Sequence, residues 1–119
     1  MNKREKISEN TVTNGILEYL QWKGIYAWKN KNIPTYDAKI GGFRRLGKYE
    51  IRGVSDIIGI LPDGKGLFIE CKRTGHRNGM SEAQKEFEAR IKTNKGIYIL
   101  ATCIEDVEKG LGNYLTKII

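Results

Sequence analysis

The chain contains one histidine (His76), two cysteines and no long apolar run in its 119 residues. Each scarcity removes a class of protein. A single histidine excludes a histidine-based zinc centre, which needs several imidazoles around the ion. Cys71 and Cys103 stand in separate apolar segments, with no C-x-x-C spacing and no adjacent histidine. They are expected to be buried, reduced thiols of a cytoplasmic protein. The run Ile57-Ile58-Gly59-Ile60-Leu61 falls far short of the ~20 apolar residues that a membrane-spanning helix requires. No membrane partner is expected. The charged stretch Met1 to Asn10 leads into no apolar segment, so it does not read as a secretory signal. Repeats and low-complexity segments are also missing.

Acids are in the minority: 21 Lys and Arg stand against 14 Asp and Glu, for a net charge of +7. The distribution says more than the total. Residues 20–80 hold twelve basic and five acidic side chains, and the remainder holds nine of each, so the whole excess is central. Clustered positive charge suits a polyanionic partner. The competing reading is a solvated basic face that keeps the protein soluble. With 39% hydrophobic and 29% charged residues, residues 1–119 fit one globular domain, its core at about 8–112.

Hydrophobic spacing predicts a first helix over residues 8–23, with Val12, Ile16 and Leu20 on one stripe beside Tyr19. Ser8 suits its N-cap and Gly24 its stop. Residues 25–28 read as a short strand. Residues 33–52 show no clear period, and the part from Gly41 to Tyr49 mixes glycines, basic residues and aromatics. Such a stretch is a binding loop or a mobile one. Arg44, Arg45, Lys48 and Arg52 could contact phosphates, and the aromatics could stack on unpaired bases. Alternatively the arginines face water. Two apolar strands follow at residues 56–61 and 67–73, apolar on both faces and therefore expected in the middle of a covered sheet. A loop at 75–80 leads to a helix opening at Ser81-Glu82-Ala83-Gln84, with Ala83, Phe87 and Ile91 as its buried stripe. A strand at 97–101 and a helix at 104–111 complete an α/β domain, a mixed central sheet flanked by helices in the order α-β-β-β-α-β-α. Trp22 and Trp28 are expected in the core or at an interface rather than as stacking platforms.

The chemistry concentrates on Asp56, Glu70 and Lys72. Alternate strand residues share a face, so Glu70 and Lys72 emerge together while Cys71 points away. Between the strands, Leu61-Pro62-Asp63-Gly64-Lys65 fits a three-residue hairpin loop with Gly64 left-handed. That loop places Asp56 opposite Glu70, with β-carbons ~5 Å apart. A two-residue loop at Asp63-Gly64 would instead set Asp56 across from Cys71, on the wrong face. Two adjacent carboxylates can share a divalent cation, and hard oxygens suit Mg²⁺. A bound metal lowers the pKa of water and stabilises in-line displacement at phosphorus without a histidine base. The plain alternative is a surface hairpin with an ordinary Glu-Lys pair.

Gly53-Val54-Ser55-Asp56, then Glu70-Cys71-Lys72, then Ser81-Glu82-Ala83-Gln84-Lys85-Glu86-Phe87 form an ordered set. Together they resemble the virus-type replication-repair nuclease domain of the PD-(D/E)XK superfamily, which also contains the archaeal Holliday-junction resolvases. The resemblance covers residues 8–111 and implies a restriction-endonuclease-like fold and a Mg²⁺- or Mn²⁺-dependent DNA endonuclease. By that pattern Asp56 and Glu70 hold the metal with the backbone carbonyl of Cys71, Lys72 orients the attacking water and offsets phosphate charge, and Gln84 faces the site. Glu9 matches an acid the family often carries on its first helix. Ser55 departs from the proline usual before the aspartate, although serine adopts the same extended backbone. The implied substrate is branched or junction DNA in repair or recombination. Cutting two strands together would need a homodimer. The implied location is cytoplasmic, the host's cytoplasm if the chain is virus-encoded. Alternatives are a non-catalytic DNA-binding module on the same fold and a nuclease acting on RNA.

Competing roles attach to the outlying residues. Gln84 stands three after Ser81, where a capping box would use it. Glu9 suits a first-turn acid favoured by the helix dipole. Arg73 and Arg77 could clamp a nucleic-acid backbone or be solvated.

Overall fold

The computed structural model describes residues 8–31, 36–43, 47–73, 79–112 and 114. Helix α1 (Glu9–Trp22) begins where the Ser8 hydroxyl accepts the Thr11 N–H at 3.1 Å, satisfying one of the donors a helix start leaves without a partner. Its inner face buries Val12, Thr13, Ile16 and Leu20. Gly24, at φ +79°, reverses the chain into strand β1 (Tyr26–Lys29). A small hairpin of β2 (Tyr36–Asp37) and β3 (Gly42–Phe43) follows. It corrects the expectation of no regular structure in 33–52, because strands of two residues are too short to leave a period.

Strands β4 (Ile57–Ile60) and β5 (Gly66–Cys71) form an antiparallel pair in the register of the three-residue loop, with Ile57 opposite Ile69 and Ile60 opposite Gly66. The loop closes through Leu61 N–H to the Lys65 carbonyl at 2.9 Å and Gly64 N–H to the Leu61 carbonyl at 2.8 Å, with Gly64 at φ +92°. Helix α2 (Glu82–Thr93) carries a full capping box between Ser81 and Gln84. Strand β6 (Ile97–Ala101) then pairs parallel to β5, and α3 (Ile104–Leu111) ends at Gly112. The sheet runs β1-β4-β5-β6, antiparallel except for its last pair. The result is a small α/β domain, as expected, with the hairpin β2–β3 added to the anticipated order.

Alternation along the strands divides the sheet. On one face Ile57, Leu61, Leu67, Ile69, Cys71, Ile99 and Ala101 are buried against α1 and α3, with Val107 and Leu111 closing that core. The other face carries Asp56, Ile58, Phe68, Glu70 and Tyr98. There α2 covers only the β5–β6 side, through Phe87, whose ring meets Phe68 edge-on at 5.5 Å and Tyr98 at 6.2 Å. Full cover of both faces was expected. One helix is too narrow to span four strands, so Ile58 is half-buried and Ile60 is exposed. The α2 stripe narrows for the same reason: Phe87 is buried, Ala83 and Ile91 only half.

Both cysteines are free thiols, and Cys71 is buried as expected, but Cys103 is exposed. The strand ends at Ala101, and Cys103 takes the N-cap position of α3, outside the sheet. The two tryptophans also depart from a core role: Trp22 is exposed and Trp28 is partly so. Among the described residues no helix is long and apolar enough to cross a membrane.

Candidate active site

Asp56 stands one residue before β4, and one further step of the observed register sets it opposite Glu70. The backbone ladder stops at Ile57 and Ile69. Beyond it the Asp56 Oδ2 accepts the Cys71 N–H at 2.8 Å, so a carboxylate takes the place of a strand carbonyl. On the other side, the Asp56 carbonyl accepts the Asn30 N–H at 2.7 Å. Buried Ser55 donates its hydroxyl to the Ile57 carbonyl at 2.9 Å, and Asn30 Nδ2 donates to the Ser55 carbonyl at 3.3 Å. These bonds to both flanking strands fix the carboxylate beside Glu70. No local pattern in the sequence singles out Asn30, since its role depends on which strand lies next to β4.

Glu70 is 3% exposed and Lys72 8%. The Glu70 Oε2 accepts from Gln84 Nε2 at 2.8 Å and lies 3.5 Å from Lys72 Nζ. Gln84 Oε1 accepts the Ser81 N–H at 2.9 Å and faces Lys72 Nζ at 3.4 Å. The two competing roles of Gln84 are therefore one: the amide caps α2 through its oxygen and holds Glu70 through its nitrogen. Gly53 makes this possible. At φ +80° it passes so close to α2 that a β-carbon would lie 2.7 Å from the Gln84 nitrogen and closer still to the Ala83 carbonyl. A glycine three residues before an aspartate is a faint signal, and only the packing gives it meaning.

The electrostatics follow from burial. Desolvation, and then the charge of Asp56, push the Glu70 carboxyl up to about 7, against the pull of Lys72. Burial also raises Asp56, opposed by the Cys71 N–H bond. Glu9 is exposed in the first turn of α1, and its charge still adds to the upward push on both groups. Cys71 points into the opposite core, and burial lifts its thiol to about 12, which leaves it inert. Its N–H points towards Asp56, and in an extended strand the carbonyl of the same residue points to that side as well.

Two buried side-chain oxygens in this region have no hydrogen-bond partner among the described residues, Glu70 Oε1 and the Tyr98 hydroxyl. An orphaned carboxylate oxygen beside a second carboxylate costs free energy until a cation or donor reaches it. Among the described residues no three His, Cys, Asp or Glu side chains group closely enough to hold a metal. Two carboxylates with a strand carbonyl still fit Mg²⁺ or Mn²⁺, because Mg²⁺ keeps several of its own waters and takes few protein ligands. The donor set thus suits a hard divalent ion held mainly by Asp56 and Glu70.

Of the residues expected to bind nucleic acid, Lys48 and Arg52 are exposed on the segment leading to Gly53, with Lys48 Nζ 5.5 Å from the Tyr49 ring centre. Arg73 is half-buried directly after Lys72. Arg44, Arg45 and Arg77 lie outside the described residues. No family's sequence profile fits this chain, and no curated protein is significantly similar to it.

Proposed function

We propose that the chain is a metal-dependent DNA endonuclease with a restriction-endonuclease-like fold, related to the virus-type replication-repair nucleases. The observation that carries this is the meeting of Asp56 and Glu70 from neighbouring strands, with Lys72 and Gln84 both on Glu70. A buried acid beside a half-buried one, both pushed upward and steadied by a lysine, is poorly suited to holding a fold together. It suits a cation and a phosphate.

Asp56, Glu70 and the Cys71 carbonyl would hold Mg²⁺ or Mn²⁺, which when bound activates water and offsets charge on the phosphate. Lys72 places an ammonium beside the same carboxylates, where it can orient the attacking water and neutralise charge growing on phosphate oxygens. Gln84 keeps Glu70 aimed by donating to Oε2, and its tie to the start of α2 holds that aim rigid. The central positive charge supplies general attraction to the DNA backbone. Branched or junction DNA is the proposed substrate, and paired cuts would come from a homodimer, whose mass in solution is the check.

The deciding experiment compares wild type with Glu70→Ala on labelled junction and linear DNA, in Mg²⁺ and in chelator. Cleavage should fall by roughly 10³-fold or more, the loss of several kcal/mol of stabilisation of the transition state. Binding should persist or tighten slightly, since one negative charge near the phosphates is gone. Wild-type binding without metal-dependent cuts would sink the enzyme and leave a DNA-binding module. Cuts confined to RNA would replace the substrate.

A further inference from the structure

On the carboxylate face, side chains form rows across the sheet. Asn30, Asp56 and Glu70 make one row; Trp28, Ile58 and Phe68 the next; Tyr26 and Ile60 the third. Adjacent rows are two residues apart, roughly 7 Å. Helix α2 covers the Phe68 end of the middle row and leaves the β1 end bare. Tyr26 is 72% exposed, Trp28 41% and Ile60 48%. The two rings stand 5.3 Å apart, tilted by 55°. An open aromatic ledge therefore begins one row from the acid pair, on the same face. Water-exposed apolar surface gathered in one place marks a contact site.

Its surroundings favour one occupant. The ledge side chains carry no charge and their rows run directly into that of Asp56 and Glu70, while Lys23 and Lys29 of the same segment lie on the α1 side, against Tyr19 and Trp22 and on Asn10 Oδ1. Flat rings one row from an acid pair that suits a cation and a phosphate match bases beside their own phosphate. A second copy of the chain fits less well. The exposed parts of these side chains come to on the order of 300–400 Å², taking ~150–250 Å² for each large side chain. A stable interface buries about 800 Å² per partner.

We infer that Tyr26, Trp28 and Ile60 form a shelf on which unpaired DNA bases stack, next to the phosphate held at Asp56 and Glu70. This rests on the nuclease reading and sharpens it: the substrate presents single-stranded DNA at or beside the cut. Duplex bases, already stacked and paired, cannot lie on the ledge. Trp22 is exposed too, but belongs to α1 on the opposite face of the sheet and has no part in the shelf.

The test is binding of oligothymidylate to the full chain in chelator, so that no cleavage intervenes. In a Trp22→Phe background Trp28 is the sole tryptophan, and stacking should quench its fluorescence. Trp28→Ala and Tyr26→Ala should each weaken oligothymidylate binding by roughly 5- to 150-fold, the effect of losing one stacked base. The slope of affinity against salt should not change, because no phosphate contact is lost. Trp28→Phe should keep most of the affinity, which separates stacking from a folding defect. Absent quenching with unchanged affinity overturns the shelf. So does a dimer that becomes a monomer in Trp28→Ala with DNA binding intact, which would make the ledge a protein interface. Metal-dependent cutting is scored separately. Quenching without cutting would keep the shelf and sink the nuclease, whereas cutting without quenching would do the reverse.

Discussion

The two faces of the sheet are built from the same strands and could hardly differ more. Under α1 and α3, Ile57, Leu67 and Ile69 are sealed among other aliphatic side chains, and no charged group is buried there among the described residues. On the reverse face, α2 covers half the width, and beneath its first turn lie a glutamate and a lysine that are almost as buried. Burial of each large aliphatic side chain on the first face contributes ~1.5–3 kcal/mol to stability. Burial of Glu70 costs stability, as its raised pKa shows. One face supplies the stability that the other consumes, and such an imbalance is expected where a site must hold charge out of water.

Substitutions can break that contrast or sharpen it. The largest effect belongs to the sealed face: Ile69→Ala should lower unfolding free energy in urea by about 2–5 kcal/mol, while Ile60→Ala, on the open side, should cost under ~1 kcal/mol. Equal losses would show that both faces are packed alike. Next comes the seam that holds α2 over the site. Gly53→Ala forces a β-carbon into the α2 backbone at a positive φ, and should cost about 2–4 kcal/mol and impair cleavage as Gln84 is pushed from Glu70. A stable, fully active Gly53→Ala protein would sever that link.

The third effect depends on pH. The pKa of Glu70 is higher in the folded state than in the unfolded chain, so its protonated form contributes stability that is present below about pH 4.5 and is lost as pH rises through about 7. The raised pKa of Asp56 acts with the same sign. Glu70→Gln cannot ionise, so between pH 5 and pH 8.5 it should gain about 1–3 kcal/mol relative to wild type, read from urea midpoints. Parallel pH curves for the two proteins would remove the claim that Glu70 is charged at a cost. The smallest effect is Ser81→Ala, about 1 kcal/mol for the lost cap of α2, with a modest fall in cleavage because Gln84 loses part of its anchor. A change in stability alone would show that the cap and the site are independent.

Local signals decided much of this protein. Stripes at intervals of four, Ser8 and Ser81 before helices, and glycines after them placed α1, α2 and α3 almost to the residue. Pro62-Asp63-Gly64 fixed the hairpin loop, and the loop fixed the register that brings Asp56 to Glu70. Such features are legible because they depend on residues within a turn or two of one another. Other features come from segments distant in the chain. The Asp56 bond to the Cys71 N–H, the hold of Asn30 on Asp56, the pass of Gly53 against α2 and the double role of Gln84 all depend on which elements become neighbours. So does the exposure of Tyr26 and Trp28: an apolar residue in a strand faces a core or water according to how far the nearest helix reaches, and no spacing along the chain encodes that width.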